Sequence, residues 1–505
     1  MFAALGSVEP ILVLLAFIAA YCFVTFLWRR RPPRVREPED ITAFMADKFV
    51  IKPYVQLGNN PRLGVGSEQF AVLWHVGPEF ADSDWQLQAR VVGEVDWRSP
   101  VAAHSERITV AALGDVVRCG ATLTGLPPGR VVEYRVLRDG DIAFTAACRT
   151  RNSRTQPYRF AVAGDLGVPM LGKEQKIAYQ ISLASPDCIV VPGDIVYERG
   201  RISEYMSNFF PVYNSDVADP SRGAPLLRSR LMMGVPGNHD MGMRHVDSLR
   251  DFTRWPDLLG YYLFFSQPLN GPQSTVRGGN YPDLVGDEAA QKTFLAAAGG
   301  RYPRMASFSY EWGNSFWLLL DANAYMDWTD KDMCDWVREQ LRGASQSTWK
   351  FVTFHQPAFT SDGNHSNEQR MRLLVPIFQE FGVDVVFMGH VHCYERTYPI
   401  RFEPYKYEAK MLTEECPVDG FFAIDKEFDG VKNTRPNGIV YVTSGAAGAK
   451  FHKDSDPGPT GKKPYTMVYD QTVHSFTMCE IDGGRLSVRQ IDEEGREIDR
   501  FTIEK

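Results

Sequence analysis

The apolar run Val383-Asp384-Val385-Val386-Phe387-Met388 ends in Gly389-His390-Val391-His392, and no other stretch constrains the chain as much. A short apolar run of this kind reads as a buried strand. Two histidines at i and i+2 on extended backbone point the same way. Both imidazoles therefore leave one strand end together, where they can grip two neighbouring metal ions. Alone, the tetrapeptide reads more readily as a surface loop with two histidines. Four further runs upstream decide against that.

Phe160-Ala161-Val162-Ala163 leads into Gly164-Asp165-Leu166-Gly167, and Cys188-Ile189-Val190-Val191 leads into Gly193-Asp194-Ile195-Val196-Tyr197. Leu231-Met232-Met233-Gly234-Val235 leads into Gly237-Asn238-His239-Asp240, and Trp349 to Phe354 leads into His355. Any one of these could be a turn, a capped loop or a satisfied core histidine. Five apolar runs that each end in polar ligands are the pattern of an open α/β sheet, which places its site at the carboxyl ends of its strands. The glycines before Asp165, Asp194, Asn238 and His390 permit tight turns and close backbone approach.

The residue types divide between two metals. Asp165, Asp194 and Tyr197 supply hard anionic oxygens, suited with His392 to a trivalent ion; Asn238, His355 and His390 form a mostly neutral, nitrogen-rich set suited to zinc, manganese or ferrous iron. Asp194 is the natural bridge. Two ions about 3.5–4 Å apart can clamp the attacking and departing oxygens of an in-line displacement at phosphorus. A water on such a pair loses its proton far below its bulk pKa, so no serine or cysteine nucleophile is required.

At 505 residues the chain has material for two or three domains, and 44% hydrophobic with 23% charged residues is an ordinary globular composition. A net charge of −7 argues against a nucleic-acid partner held by a basic surface. The eight cysteines form no CxxC pair and indicate neither a zinc finger nor a disulfide scaffold. Cys119 and Cys148 lie within one segment, and a bridge between them is not expected.

Taken in order, Ile11 to Trp28 is uncharged over 18 residues and is followed by Arg29-Arg30-Arg31. As a helix it would span about 27 Å, enough for a membrane core. The upstream charge is Glu9 and the run ends without a small-x-small exit, so an uncleaved anchor is preferred to a signal peptide. The positive-inside rule puts Arg29 to Arg36, and with them the globular part, in the cytoplasm. A charged, proline-broken linker follows. Residues 69–75, 85–92 and 131–136 read as short strands between Gly, Pro and Asp turns, and Leu123 to Gly129 resembles the turn before a late strand of fibronectin-type sandwiches. From Tyr158 the pattern is α/β. The aromatic stretch between Gly200 and Gly300 is expected to carry local helices and cover part of the site. A helix is expected over Asp330 to Leu341, and closing strands from His474 to Ile503.

On Gly164-Asp-Leu-Gly167, Gly193-Asp-Ile-Val-Tyr197, Gly237-Asn-His-Asp240, Val352-Thr-Phe-His355, Gly389-His-Val-His392 and Tyr394-Glu-Arg396, the sequence resembles the purple acid phosphatases of the calcineurin-like metallophosphoesterase superfamily. The resemblance covers roughly residues 50 to 505, and Tyr197 is its most specific element. It implies a four-layer αββα catalytic sandwich over 156–505, preceded by an all-β fibronectin-III-like domain over 50–152 and the anchor with its basic flank over 1–36. It implies Fe(III) on Asp165, Asp194, Tyr197 and His392, and a divalent ion on Asp194, Asn238, His355 and His390. It further implies that His239 contacts the phosphate and that His365 protonates the leaving alkoxide. Plant members have two adjacent histidines where this chain has Asn364-His365, and their secreted habit conflicts with the cytoplasmic placement. The expected activity is acid phosphatase hydrolysis of small phosphate monoesters by a metal-bound hydroxide. A phosphodiesterase or nucleotide hydrolase on the same scaffold, and a membrane-tethered binding protein with a relic phosphatase domain, are the rival readings. His75 and His104 read as structural, and His245, His452 and His474 as structural or solvent-exposed.

Overall fold

The apolar runs that end in candidate ligands are strands of two mixed sheets, Leu231–Gly234 at an edge and the others inside. The computed structural model describes residues 49–110, 114–169, 172–242, 250–272, 283–405, 415–452 and 455–505. One sheet has the order Leu231–Gly234, Cys188–Val191, Tyr158–Val162, Ser475–Asp482, Arg485–Asp492, Glu497–Glu504; its first three strands are parallel and the rest antiparallel. The other runs Phe308–Trp312, Ser315–Leu319, Trp349–Thr353, Val385–Met388, Val440–Ser444, Tyr394–Thr397, Thr466–Asp470, with four parallel strands in the middle. Cys188–Val191, Leu231–Gly234 and Val385–Met388 are buried at every position. Strands covered on both faces need continuous apolar sequence, which is why these runs lack alternation.

The two sheets meet face to face. Phe160 of the first lies 4.9 Å from the Trp317 ring and 5.9 Å from the Phe387 ring of the second. On the outer face of the second sheet lie the helices Lys331–Gly343 and Val375–Glu380, through Met333, Val337, Leu341, Ile377 and Phe378. The first of these starts where the sequence predicts, because the Asp330 side chain accepts the Asp332 and Met333 amides; a cap of this kind contributes about 1 kcal/mol. Helix Lys173–Ala184 buries Ile177, Ala178 and Ile181 and lies against Ser475–Asp482 of the first sheet.

The preceding segment folds as two four-stranded antiparallel sheets. Their orders are Ile51–Gln56, Glu68–Val76, Gly114–Leu126, His104–Val110 and Val101–Ala102, Trp85–Val91, Val131–Arg138, Asp141–Arg149. Trp85, Leu87, Ala89 and Val91 point inward while their neighbours are half-buried, the period of a strand with one covered face. Trp74 meets Trp85 across the interior at 5.9 Å. Arg151, fully buried, ties this sandwich to the two mixed sheets: it pairs with Glu68 at 2.8 Å and donates to the carbonyl of Glu311 at 3.0 Å. Ile51–Lys505 form one compact unit.

The apolar run Ile11 to Trp28 lies outside the described residues; among those described, no helix is long and apolar enough to cross a membrane. The stretch from 200 to 300 does hold short helices, including Tyr261–Phe264 and Glu288–Ala298. None of its described residues beyond Asn238 and His239 lines the site, because its aromatic side chains face one another instead, as Tyr205, Phe209, Phe264 and Phe265 do. Cys119 and Cys148 are free thiols on different sheets.

Candidate metal centre

Asp165, Asp194 and His390 each follow a glycine at the end of a strand, and each adopts a left-handed backbone, with φ of 62°, 48° and 70°. That conformation costs a residue with a Cβ about 1–2 kcal/mol, and half of the six non-glycine residues described at positive φ are candidate ligands. The strain turns each side chain back over the sheet edge toward the same point. Glycine is required beside it. A Cβ on Gly193, where φ is 100°, would stand 2.5 Å from His355 Nδ1, and one on Gly389 would stand 2.8 Å from Asp165 Oδ2.

All nine residues read from the sequence converge here. Asp165 and His355 form the fully buried floor, and the other seven line a cleft of ≈ 810 Å³ above it. On one side the Tyr197 hydroxyl donates to Asp165 Oδ1 at 2.9 Å and lies 3.0 Å from His392 Nε2, which is itself 3.4 Å from Asp165 Oδ1. On the other, Asn238 Oδ1 lies 3.1 Å from His355 Nε2 and 3.0 Å from His390 Nδ1. Asp194 stands between, its Oδ2 3.2 Å from His355 Nε2.

The protein fixes which nitrogen of each ring faces the centre. His392 Nδ1 donates to the Lys450 carbonyl at 2.6 Å, and His355 Nδ1 to that of Pro192 at 2.8 Å; His390 Nε2 lies 3.0 Å from Glu368 Oε2. With those N–H groups directed outward, the inner nitrogens present lone pairs to carboxylate, phenol and amide oxygens. Lone pairs about 3 Å apart are stable when a positive charge lies among them, and such a spacing matches neighbouring ligands on bonds of about 2.0–2.2 Å. The charges agree. Burial alone would raise the Asp194 carboxyl, but the imidazoles of His355, His239 and His390 hold it well below its ordinary range. Burial would likewise lower His355, yet Asp194 raises it to about 9. A field that strengthens proton binding in this way also favours a metal cation, so the residues present fit a pair of ions.

The rim carries the residues expected to handle substrate. His239 gives its backbone N–H to Asp194 Oδ1 at 2.9 Å and fixes its ring through Nδ1 on the Glu198 carbonyl at 2.7 Å, leaving Nε2 beside the cleft. His365 places Nδ1 2.7 Å from Glu368 Oε1. Burial works against its charge, but the bond to Glu368 and the charge there keep its pKa above the ordinary value.

Sequence reading missed four contributors. Glu368 spans His365 and His390 with its two oxygens; a carboxylate three residues after His365 is the signal that could have found it. Asp240 accepts the amides of Ile195, Val196 and Gly237 and the Tyr205 hydroxyl, joining the loops that carry Asp194 and Asn238. Glu174 accepts the Gly167 amide beneath the Asp165 loop. His452 lies in the cleft wall, and nothing in its local sequence marks it. His474 is buried and bound to the Ala446 carbonyl, and His75 is buried beside the Tyr54 hydroxyl, both as structural groups. His245 lies outside the described residues.

Residues 158–394 match the family model for calcineurin-like phosphoesterases. Over 413 residues the chain is 25% identical to the Mycobacterium tuberculosis protein "Uncharacterized protein Rv2577", spanning 78% of this chain and 69% of that one. It is 24% identical over 301 residues to purple acid phosphatase 15 of Arabidopsis thaliana, 54% of this chain and 48% of the other. The structure of purple acid phosphatase PPD1 from yellow lupin (Lupinus luteus) seeds superposes with a TM-score of 0.60 over 90% of this chain and 74% of that one. Sequence identity there is 16%, so that likeness is one of fold.

Proposed function

We propose that this chain, a purple acid phosphatase-like metallophosphoesterase, hydrolyses phosphate monoesters in the cleft above Asp194. The observation that carries the reading is the convergence of three oriented imidazole nitrogens with carboxylate, phenol and amide oxygens at 3.0–3.4 Å. Asp165, Asp194, Tyr197 and His392 would hold one ion, Fe(III), and Asp194, Asn238, His355 and His390 the other, a divalent one. When bound, the pair supplies Lewis-acid polarisation of the phosphoryl group and an acidified water.

The chain's own residues do the rest. Asp194 faces both halves and keeps them in register. His239, with Nδ1 committed to the Glu198 carbonyl, donates from Nε2 to a phosphoryl oxygen when it is an imidazolium. His365, held through Nδ1 by Glu368, delivers the proton at Nε2 to the departing ester oxygen. Both roles need the protonated ring, which favours mildly acidic conditions.

A panel of phosphate mono- and diesters assayed with metal-loaded protein tests this reading, which predicts the larger kcat/KM for monoesters. The second reading, a phosphodiesterase or nucleotide hydrolase, draws support from the ≈ 810 Å³ cleft, which has room for more than a phosphoryl group. Diesters turned over faster would select it.

Two proposals concern the rest of the chain. The strand orders of the N-terminal sandwich support a fibronectin-III-like domain over 50–152 beside a catalytic domain over 156–505. The uncharged run Ile11 to Trp28 with its arginine flank supports a single-pass anchor and a cytoplasmic catalytic domain. Protease digestion of intact cells checks the latter: protection is predicted, and cleavage of the catalytic domain from outside would reverse the topology.

A further inference from the structure

The imidazoles of this site share one habit, and His452 departs from it. His239 and His355 each commit one nitrogen to a backbone carbonyl, as does His392; His365 commits one to Glu368, and His390 Nε2 faces the same carboxylate at 3.0 Å as an ion pair. His452 lines the same cleft, yet among the described residues its ring makes no hydrogen bond, and its Nδ1 is shielded from solvent without a partner. An unsatisfied buried polar atom destabilises a fold. Such a group in a native fold calls for a reason, and a place at a functional site is one.

The position of His452 is nonetheless fixed. Its carbonyl accepts the Ser455 amide at 3.1 Å, the Ser455 hydroxyl at 2.9 Å and the Gln471 side-chain amide at 2.8 Å. Its ring stacks on that of His392, with centroids 4.2 Å apart and planes at 31°, and stands 5.3 Å from the ring of His365. It therefore occupies the wall between a candidate metal ligand and the candidate proton donor.

We propose that His452 is a substrate-binding residue whose Nε2–H, the ring nitrogen not shielded from solvent, donates to a phosphoryl oxygen on the His392 and His365 side of the cleft. This rests on the reading of the cleft as a phosphoester site. It assigns the phosphoryl group a second imidazole contact that the motifs in the sequence do not supply. Since inorganic phosphate retains the oxygens concerned, it is the appropriate probe.

The test uses the metal-loaded full-length protein, as wild type and as His452→Ala and His452→Gln. Phosphate affinity is measured by calorimetry, kcat and KM with a monoester, and bound metal by elemental analysis. The Ala variant should keep its metal and bind phosphate about tenfold more weakly or worse, the loss expected for one hydrogen bond to a charged group, with KM raised in parallel. The Gln variant, which retains an N–H donor, should recover most of the affinity. Phosphate affinity and KM within about twofold of wild type in the Ala variant would overturn the assignment, since a lost bond of this kind is worth more. So would loss of metal from both variants, which would make His452 a support for His392. A wild-type protein that neither binds phosphate nor cleaves esters would instead remove the functional reading, and the inference with it.

Discussion

Oδ2 of Asp194 stands 3.2 Å from Nε2 of His355, while the same carboxylate faces the Tyr197 side of the cleft. In the proposed assignment it is the ligand shared by both ions. Asp194→Ala is predicted to abolish binding of both and to reduce hydrolysis to background. Full metal content and rate in this variant, by elemental analysis and assay, would show that the bridge is assigned to the wrong residue.

Glu368 bridges a metal-side ring and a substrate-side ring through His390 and His365. Replacing a carboxylate that orients such a ring costs about 10–100-fold in activity or metal affinity. Glu368→Gln should lower kcat within that range and move the alkaline limb of the pH profile to lower pH, since His365 loses the charge that favours its protonated form. An unchanged profile would leave Glu368 with a packing role alone.

Gly193 has φ of 100°, and a Cβ there would meet the His355 ring at 2.5 Å. Gly193→Ala should displace that ring and weaken the divalent site. Gly483 offers the comparison: φ is 55° and nothing lies within 4 Å of its would-be Cβ. Gly483→Ala should cost stability through backbone strain alone and keep its metal. Equal metal affinity in the two variants, by titration, would mean that crowding of His355 is irrelevant.

Burial raises the Glu174 carboxyl from 4.5 to about 8, against the opposing bonds from the Gly167 and Val168 amides. The folded state then holds this proton more tightly than the unfolded chain. Its contribution is present below pH 4.5 and is lost as pH rises through about 8. Glu174→Gln keeps an acceptor for the Gly167 amide and removes the ionisation. It should flatten the fall in stability between these limits, measured by denaturant unfolding at several pH values. Parallel curves for the two proteins would exclude Glu174 as the source.

The parts of the site that lie at the ends of continuous apolar runs were legible in the sequence, because a strand buried on both faces and a ligand at its carboxyl end leave a local mark. Asp165, Asp194, Asn238, His355 and His390 carry that mark. Glu368 and His452 do not: each reaches the cleft from a loop whose path is set by tertiary packing, Glu368 from the turn before Arg370–Leu374 and His452 from the segment after Val440–Ser444. The sandwich strands were legible through alternation, as in Trp85–Val91. The aromatic stretch after Gly200 misled because large rings cover a cleft and fill a core equally well; their contacts with one another, as between Tyr205 and Phe264 at 5.3 Å, put them in a core.

Tyr197, bonded to Asp165 and beside His392, is proposed to ligate ferric iron in a two-metal site. The most direct test is a visible absorption spectrum with metal analysis on the purified protein and on Tyr197→Phe. A broad charge-transfer band with about one iron and one divalent ion per chain, absent from the Phe variant, is the predicted result. A colourless wild-type protein carrying two divalent ions would contradict it and bring diesters and nucleotides forward as substrates.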